Sequence, residues 1–326
     1  MKTIFRMFGI AIFSLLFSVT GCAADSNDEG VANQKAVLVT GASTGIGRKI
    51  TEALAEAGYF VYAGARKQAD LDALNEIENV QSIKLDVTID EEIEAAVETV
   101  SDGGRGLYGL VNNAGVFIGG PLADVDLDEF RWLMDVNVYG VYRVTQAFAP
   151  MIIAEQGRIT TIGSISGTLS GRFSGQYSMS KHAIEAYTDS LAAEMEPLGV
   201  HVSVIEPGNY DSRIGDTARA RMLAKNDEYA KEGSPFAESY AQWIDGSWDR
   251  SQYKEPDEVA DAAIHALFDE NPFRRYMVVP NEKEAGWTIG KQIKELVQLN
   301  EYQEYSFSRD ELIEMLDAAM AADTEL

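Results

Sequence analysis

Tyr177 and Lys181 stand four positions apart in Tyr177-Ser178-Met179-Ser180-Lys181. On a helix that spacing puts both side chains on one face. A phenol beside an ammonium can move a proton. Tyrosine ordinarily titrates near about 10, too high for efficient base work at neutral pH, and a nearby cation favours the phenolate. The same spacing arises by chance on many amphipathic helices, so its weight depends on its surroundings. A second candidate is the glycine-rich run Thr40-Gly41-Ala42-Ser43-Thr44-Gly45-Ile46-Gly47. Glycines there let a strand turn tightly into a helix and let a pyrophosphate reach the N–H groups at the helix start. A tight turn without a ligand could use the same residues.

The elements that must position these groups alternate. Ala36 to Thr40 is a short apolar run, suited to a strand covered on both faces. Helix is expected over Ile46 to Ala57, closed by Gly58. Further strands are expected over Tyr59 to Ala65, Ser82 to Leu85, Leu107 to Val111, Arg158 to Ile162, His201 to Glu206 and Arg275 to Val279. Between them, helices are expected over Leu71 to Ile77, Glu91 to Val100, Asp128 to Ala149, Gln176 to Glu196 and Pro256 to Asp269. Such alternation means βαβ units and a parallel sheet, with helices on both faces. One stretch breaks the rhythm. Ser212 to Tyr253 carries Phe236, Tyr240, Trp243 and Trp248 and reads as a lid or substrate loop, or as a helical cap over the core.

In this context the glycine turn, with spacing G-x-x-x-G-x-G, resembles that of the short-chain dehydrogenase/reductase family. Other segments carry the same resemblance: Asp86-Val87, Asn112-Asn113-Ala114-Gly115, Asn137, Ser164 thirteen residues before Tyr177, and Pro207-Gly208. The likeness runs from Gln34 to about Val279. It implies an α/β fold: a Rossmann-type doubly wound parallel sheet of about seven strands, as a single domain over residues 34–326. Residues 282–326 then form a C-terminal extension, with an amphipathic pattern at Leu312, Ile313, Leu316 and Met320 suited to covering the substrate loop or a neighbouring subunit.

The resemblance also implies roles. Gly41, Ser43, Thr44, Gly45, Ile46 and Gly47 would hold the cofactor's pyrophosphate. Asp86 and Val87 would contact the adenine side, Asn113, Ala114, Gly115, Pro207 and Gly208 would also bind the cofactor, and Ser212 would bond the nicotinamide carboxamide. Hydride would move between nicotinamide and a carbonyl or alcohol carbon. Tyr177 would carry the proton, and Lys181 would tune Tyr177 and hold the nicotinamide ribose. Ser164, with Ser166 as its rival, would orient the oxygen. Asn137 would interrupt its helix and hold a water on a relay to Lys181. Ala65 stands where NAD-using relatives place an acid, and Arg66 follows. An arginine there can fork onto a 2′-phosphate, so NADP(H) is expected over NAD(H). Thr44 stands where many NADP-using relatives carry a second basic residue. The motifs from Ser164 to Gly171 and from Ser180 to Ala183 look most like the retinol and hydroxysteroid dehydrogenase branch, and the aromatic loop suits a hydrophobic small-molecule substrate.

Composition limits the alternatives. The net charge of −25 argues against nucleic-acid binding. Three histidines and one cysteine in 326 residues supply no metal site of ordinary ligand spacing. Residues 1–21 read as a signal peptide: Lys2 and Arg6 precede the uncharged, apolar Met7 to Val19. Val19-Thr20-Gly21-Cys22 resembles a bacterial lipobox, which implies lipidation of Cys22, the sole cysteine, with residues 22–33 as a polar tether. The chain is then expected in the bacterial cell envelope. With Lys2 and Arg6 removed, 25 basic residues face 52 acidic ones, so acyl chains and not charge would anchor it. The competing readings are a cytoplasmic enzyme with an unprocessed lipobox, and an envelope-tethered nucleotide-binding or interaction protein without turnover. Self-association is a family-level expectation.

Overall fold

Ala36, Val37, Leu38 and Val39 are all fully buried, because both faces of this strand (β1, Ala36–Val39) are covered. In the computed structural model, which describes residues 34–225, 229, 231, 233–246 and 248–322, β1 lies inside a seven-stranded sheet. The others are β2 (Phe60–Ala65), β3 (Val80–Lys84), β4 (Gly109–Asn112), β5 (Arg158–Ile162), β6 (His201–Pro207) and β7 (Arg275–Val278). Their order is β3-β2-β1-β4-β5-β6-β7, and every pairing is parallel. The order reverses between β1 and β4, which opens a crevice at their carboxyl ends. The expected residues 1–33, with the signal segment, Cys22 and the tether, lie outside the described residues.

The pleat sends alternate side chains of β1 to opposite faces. Val37 and Val39 join one core with Ile50 and Leu54 of α1 (Gly45–Glu56) and Val259, Ala263 and Leu267 of α9 (Asp257–Phe268). Ala36 and Leu38 join another with Ile93, Ala96 and Val100 of α3 (Asp90–Asp102) and Val144, Phe148 and Ile152 of α5 (Gly140–Ala154). Helices therefore cover both faces, as the alternating pattern implied. The short α2 (Gln68–Asn75) lies between β2 and β3, and α6 (Gly175–Met195) between β5 and β6.

Several elements differ from expectation. The long helix expected over Asp128 to Ala149 is α4 (Leu127–Met134), a π-helical turn (Asp135–Tyr139) and then α5. It continues through Pro150 to Ala154, because Ile152 is drawn into the core. The segment 212–253 is a helical cap more than a loop. It contains α7 (Ile214–Ala224) and α8 (Ala237–Ile244). Its aromatic residues build a third core in which Tyr240 and Ile244 meet Ile118, Leu133 and Phe173. The C-terminal region forms α10 (Glu282–Glu301) and α11 (Arg309–Ala322). Ile313, Leu316 and Met320 of α11 are exposed, so that face does not cover the substrate segment in this chain; α10 approaches it instead.

The cap is pinned to the body by charge. Glu129 on α4 is only 2% exposed. It accepts hydrogen bonds from Arg221 Nε at 2.6 Å and Nη2 at 2.7 Å, from Lys225 Nζ at 2.6 Å, and from the Tyr229 hydroxyl. The Arg221 guanidinium also lies 3.6 Å from the Trp132 ring centre. Burial pushes the Glu129 carboxyl up, but its hydrogen bonds from Arg221, Lys225 and Tyr229 outweigh that and hold it at about 2. Replacing Glu129 with Gln is expected to cost roughly 3 kcal/mol at neutral pH, since the cations lose their buried partner. A depressed carboxyl contributes stability that is full above its ordinary value and fades as pH falls toward the folded one. The gap in Tm between the wild-type protein and the variant should therefore narrow from about pH 5 to pH 3. A constant gap across that range would show that the ionised carboxylate is not the source.

Candidate active site

The glycine turn is built around one hydroxyl. Thr40 Oγ1, at the exit of β1, accepts hydrogen bonds from the amides of Asn113 and Ala114, both at 3.0 Å. Asn113 Nδ2 returns hydrogen bonds to the carbonyls of Thr40 at 2.9 Å and Gly41 at 3.0 Å. Gly41 and Gly45 have φ of +65° and +57°, a region that favours glycine. A Cβ on Gly41 would lie 2.9 Å from Ala114 Cα, and one on Gly47 would collide with the Asn113 amide. Asn113 was expected as a cofactor contact. It lines the cavity, but its side-chain amide holds the turn in shape. Helix α1 starts after Thr44 without a side-chain cap, so its first amides remain available to an anion.

A cavity of about 780 Å³ runs from this turn across the carboxyl ends of the strands. Every residue expected at the cofactor site lines it, from Gly41 through Arg66, Asp86 and Gly115 to Pro207, Gly208 and Ser212. Ser164, Ser166, Tyr177 and Lys181 line the same cavity. Asn137 does not; it lies behind the wall. Arg66 follows the buried Ala65 at the end of β2 and reaches Asp86, with Nη1 to Oδ2 at 3.6 Å. The other oxygen of Asp86 accepts from the Thr88 amide and hydroxyl at 3.0 and 2.8 Å.

At the far end, Ser164 caps a short 3₁₀ turn (Ile165–Gly167), and its Oγ accepts from the Ser166 amide at 3.0 Å. That distinguishes the two serines: the Ser166 backbone orients the Ser164 hydroxyl. Burial raises the Tyr177 hydroxyl, while hydrogen bonding to Ser164 and the charge of Arg250 work against the rise. Burial likewise lowers Lys181 to about 8, opposed by the charge of Glu185. Lys181 Nζ donates to the Ile162 carbonyl at 2.8 Å and lies 5.7 Å from the Tyr177 ring centre. Lys181 is thus held beside the Tyr177 ring by its bond to the Ile162 carbonyl. Burial is the dominant influence on the Tyr177 hydroxyl, and the charge of Arg250 opposes it.

Asn137 sits in the π-helical turn, which confirms that the helix is interrupted there. Its Oδ1 accepts from the Val116 amide at 2.8 Å, and its Nδ2 donates to the Val116 carbonyl at 2.9 Å and to Ser180 Oγ at 3.1 Å. Its side chain therefore joins the strand β4 exit to helix α6, the helix that carries Tyr177 and Lys181. One turn beyond Lys181, Glu185 faces Glu206 at the end of β6. Burial raises both carboxyls against the pull of Arg275; the charge of Asp189 adds to the rise at Glu185, and that of Glu185 lifts Glu206 to about 7. Arg275 Nε lies 3.2 Å from Glu185 and 3.8 Å from Glu206.

The sequence reading passed over four contributors. Glu284 of α10 is 4% exposed and accepts from the Asn209 amide at 2.8 Å, which ties the C-terminal helix to the turn after Pro207-Gly208. Its neighbour Trp287 lines the cavity. Arg250 donates from Nε to the Tyr210 carbonyl at 3.0 Å and from Nη1 to Asn209 Oδ1 at 3.2 Å. Phe117 stands 5.0 Å from the Tyr177 ring. The Asn281-x-x-Glu284 capping pattern was a readable signal for α10, and Asn281 does accept from the Glu284 amide at 3.0 Å. Nothing local marked Arg250.

Comparison with known proteins meets this geometry from another side. The family model for short chain dehydrogenases matches residues 35–222. The mitochondrial D-beta-hydroxybutyrate dehydrogenase of Bos taurus is 32% identical over 294 residues, covering 82% of this chain and 83% of its own. The 17-beta-hydroxysteroid dehydrogenase type 6 of the same species is 32% identical over 265 residues, covering 78% and 81%. Among solved structures, a short-chain dehydrogenase from Streptomyces avermitilis superposes with a TM-score of 0.69 at 28% identity, over 83% of this chain and 96% of that one. A Burkholderia cenocepacia short-chain dehydrogenase in complex with NADP, at 24% identity and TM-score 0.62 over 81% and 95%, shares the fold. With the glycine turn, the Tyr177/Lys181 pair and the sheet order all in place, the chain belongs to the short-chain dehydrogenase/reductase family of oxidoreductases, which act on CH–OH and C=O groups with NAD(P).

Proposed function

We propose that this protein is an NADP(H)-preferring reductase or dehydrogenase of a carbonyl or secondary alcohol, working through Ser164, Tyr177 and Lys181. The observation that carries this reading is a single cavity with the glycine turn at one end and those three side chains at the other. The residues present suit a dinucleotide. Side chains at Gly41 and Gly47 would fill the cradle, and the uncapped start of α1 offers amides to a pyrophosphate. When bound, the nicotinamide supplies or accepts the hydride. Ser164, oriented by the Ser166 amide, donates to the substrate oxygen and holds it beside Tyr177. Tyr177 gives its proton to that oxygen in reduction and takes it back in oxidation. A phenol kept protonated by burial is a ready donor, which supports the reducing direction at neutral pH. Lys181, with its value lowered toward neutrality, is placed to pass protons behind Tyr177. Asn137 positions helix α6 through Ser180 and Val116. Ser212, which sits against Gly45, completes the nicotinamide side.

The aromatic wall of Phe117, Trp243 and Trp248 supports a substrate with apolar surface. The printed names of two relatives fit this frame, since hydroxybutyrate and hydroxysteroids are both secondary alcohols. Placement in the envelope as a lipoprotein, with Cys22 acylated, is supported by the Val19 to Cys22 spacing.

Three outcomes are expected. Tyr177→Phe should lower kcat by about a thousandfold while NADPH still quenches or enhances fluorescence with near wild-type affinity; retained turnover would remove Tyr177 from the mechanism. Arg66→Ala should weaken NADPH binding by about tenfold or more, the worth of a charge-assisted hydrogen bond to phosphate, and leave NADH nearly unaffected. Equal losses for both nucleotides would deny the 2′-phosphate role. Labelled palmitate should enter the wild-type chain and not a Cys22→Ala variant; an unlabelled wild-type chain would place the enzyme elsewhere.

A further inference from the structure

A guanidinium in a partly apolar cavity is costly unless something pairs with it. Arg250 lies in such a place. It lines the main cavity and an adjoining one of about 570 Å³, where Phe117, Trp243, Trp248 and Tyr253 are its aromatic neighbours. Two neutral acceptors hold it, the Tyr210 carbonyl and the Asn209 side chain, both in the segment that follows β6. Among the described residues no carboxylate comes within ion-pair distance of it. Glu284 and Asp211 act on it only through longer-range attraction, and Glu284 is already engaged by the Asn209 amide. Arginine has five N–H donors, and among the described residues two of them have acceptors, the Tyr210 carbonyl and the Asn209 side chain. Across the cavity the group that feels this charge is Tyr177, the proposed proton donor.

From this placement we infer that Arg250 is the receptor for a carboxylate on the substrate, which makes the preferred substrates hydroxy or oxo acids with an apolar portion against the aromatic wall. The inference rests on the reading above that this cavity turns over a carbinol or carbonyl. Arginine matches a carboxylate as a planar fork. Its tie to Asn209 and Tyr210 fixes that fork before the substrate arrives, so little ordering is needed on binding. The chain carries a net charge of −25, and at long range this repels anions. Selection for an acid must then come from a local, buried contact of this kind. A neutral substrate of the same shape would leave the remaining donors of Arg250 unpaired in the cavity, which costs affinity.

The test compares 3-oxobutanoate with its methyl ester as NADPH-dependent substrates of the purified full-length protein. Arg250→Gln and Arg250→Lys variants are checked for folding by circular dichroism. Wild-type enzyme is expected to favour the acid. The acid-over-ester ratio of kcat/KM should fall about fiftyfold in Arg250→Gln, the range of a charge-assisted pair, and recover in part in Arg250→Lys. A wild-type preference for the ester, or equal loss on both substrates, would overturn the inference. Equal loss with a shared shift in the pH profile would assign Arg250 to Tyr177 alone. A binding readout covers the case of slow turnover. With NADP⁺ present, butanoate should quench tryptophan fluorescence at lower concentration than butanamide, and Arg250→Gln should abolish the difference. Butanamide binding as well as butanoate would refute the carboxylate receptor while leaving the oxidoreductase reading intact. Absence of NADPH binding and of turnover on every ketone would instead bring down that underlying reading.

Discussion

The Thr40 hydroxyl accepts two amides from the exit of β4, and the Asn113 side chain returns two hydrogen bonds to the carbonyls of Thr40 and Gly41. These four bonds close the gap where the sheet order reverses between β1 and β4. Two chain segments more than seventy residues apart in sequence are held there at backbone contact, so close that a methyl group on Gly41 or Gly47 has no space. The turn into α1, the direction of its uncapped amides and the floor of the cavity all follow from this junction. The opposite half of the site then hangs from β5 and β6, whose carboxyl ends present Ser164 and the Pro207-Gly208 turn to the same space.

Electrostatics at that far end are set by burial more than by pairing. Burial moves Tyr177 up and Lys181 down, so the phenol and the ammonium both drift toward their neutral forms. Behind them Glu185 and Glu206 share one region and resist a second negative charge. Lys181 thus lies between a phenol and a carboxyl pair that burial pushes up. Such a chain of groups with displaced values is what proton transfer near neutral pH needs. The charge of Arg250, which lines the same cavity, also acts on Tyr177.

Legibility in the sequence followed the range of the interaction. The glycine turn and the Tyr177/Lys181 pair are each written within a few residues, and their physics is local: turn geometry, helix periodicity, amide exposure. The sheet was legible for the same reason, since each strand is a short apolar run between turns. The interruption at Asn137 was expected from its motif, but its function as a clamp between Val116 and Ser180 is a tertiary fact. Glu129 with Arg221 are 92 residues apart, and Glu284 with Asn209 are 75 apart. Nothing in either member of such a pair names the other, so the anchoring of the cap and the reach of α10 into the site could not be read in advance. The segment 212–253 read as irregular because its helices are short and its apolar residues serve a local aromatic core instead of a regular stripe.

The bond from the Asn209 amide to Glu284 also has a meaning in time. The cradle at Thr40 to Gly47 has all its partners once Asn113 and Ala114 exist. The Asn209 amide in the turn after β6 finds its acceptor only when Glu284 has been made, 75 positions later. Chains lengthen at roughly 5–20 residues per second, so a growing polypeptide holds its dinucleotide cradle for on the order of ten seconds before the other wall is in place. The order in which the sequence is written separates the two walls, and α10, emerging late, joins them.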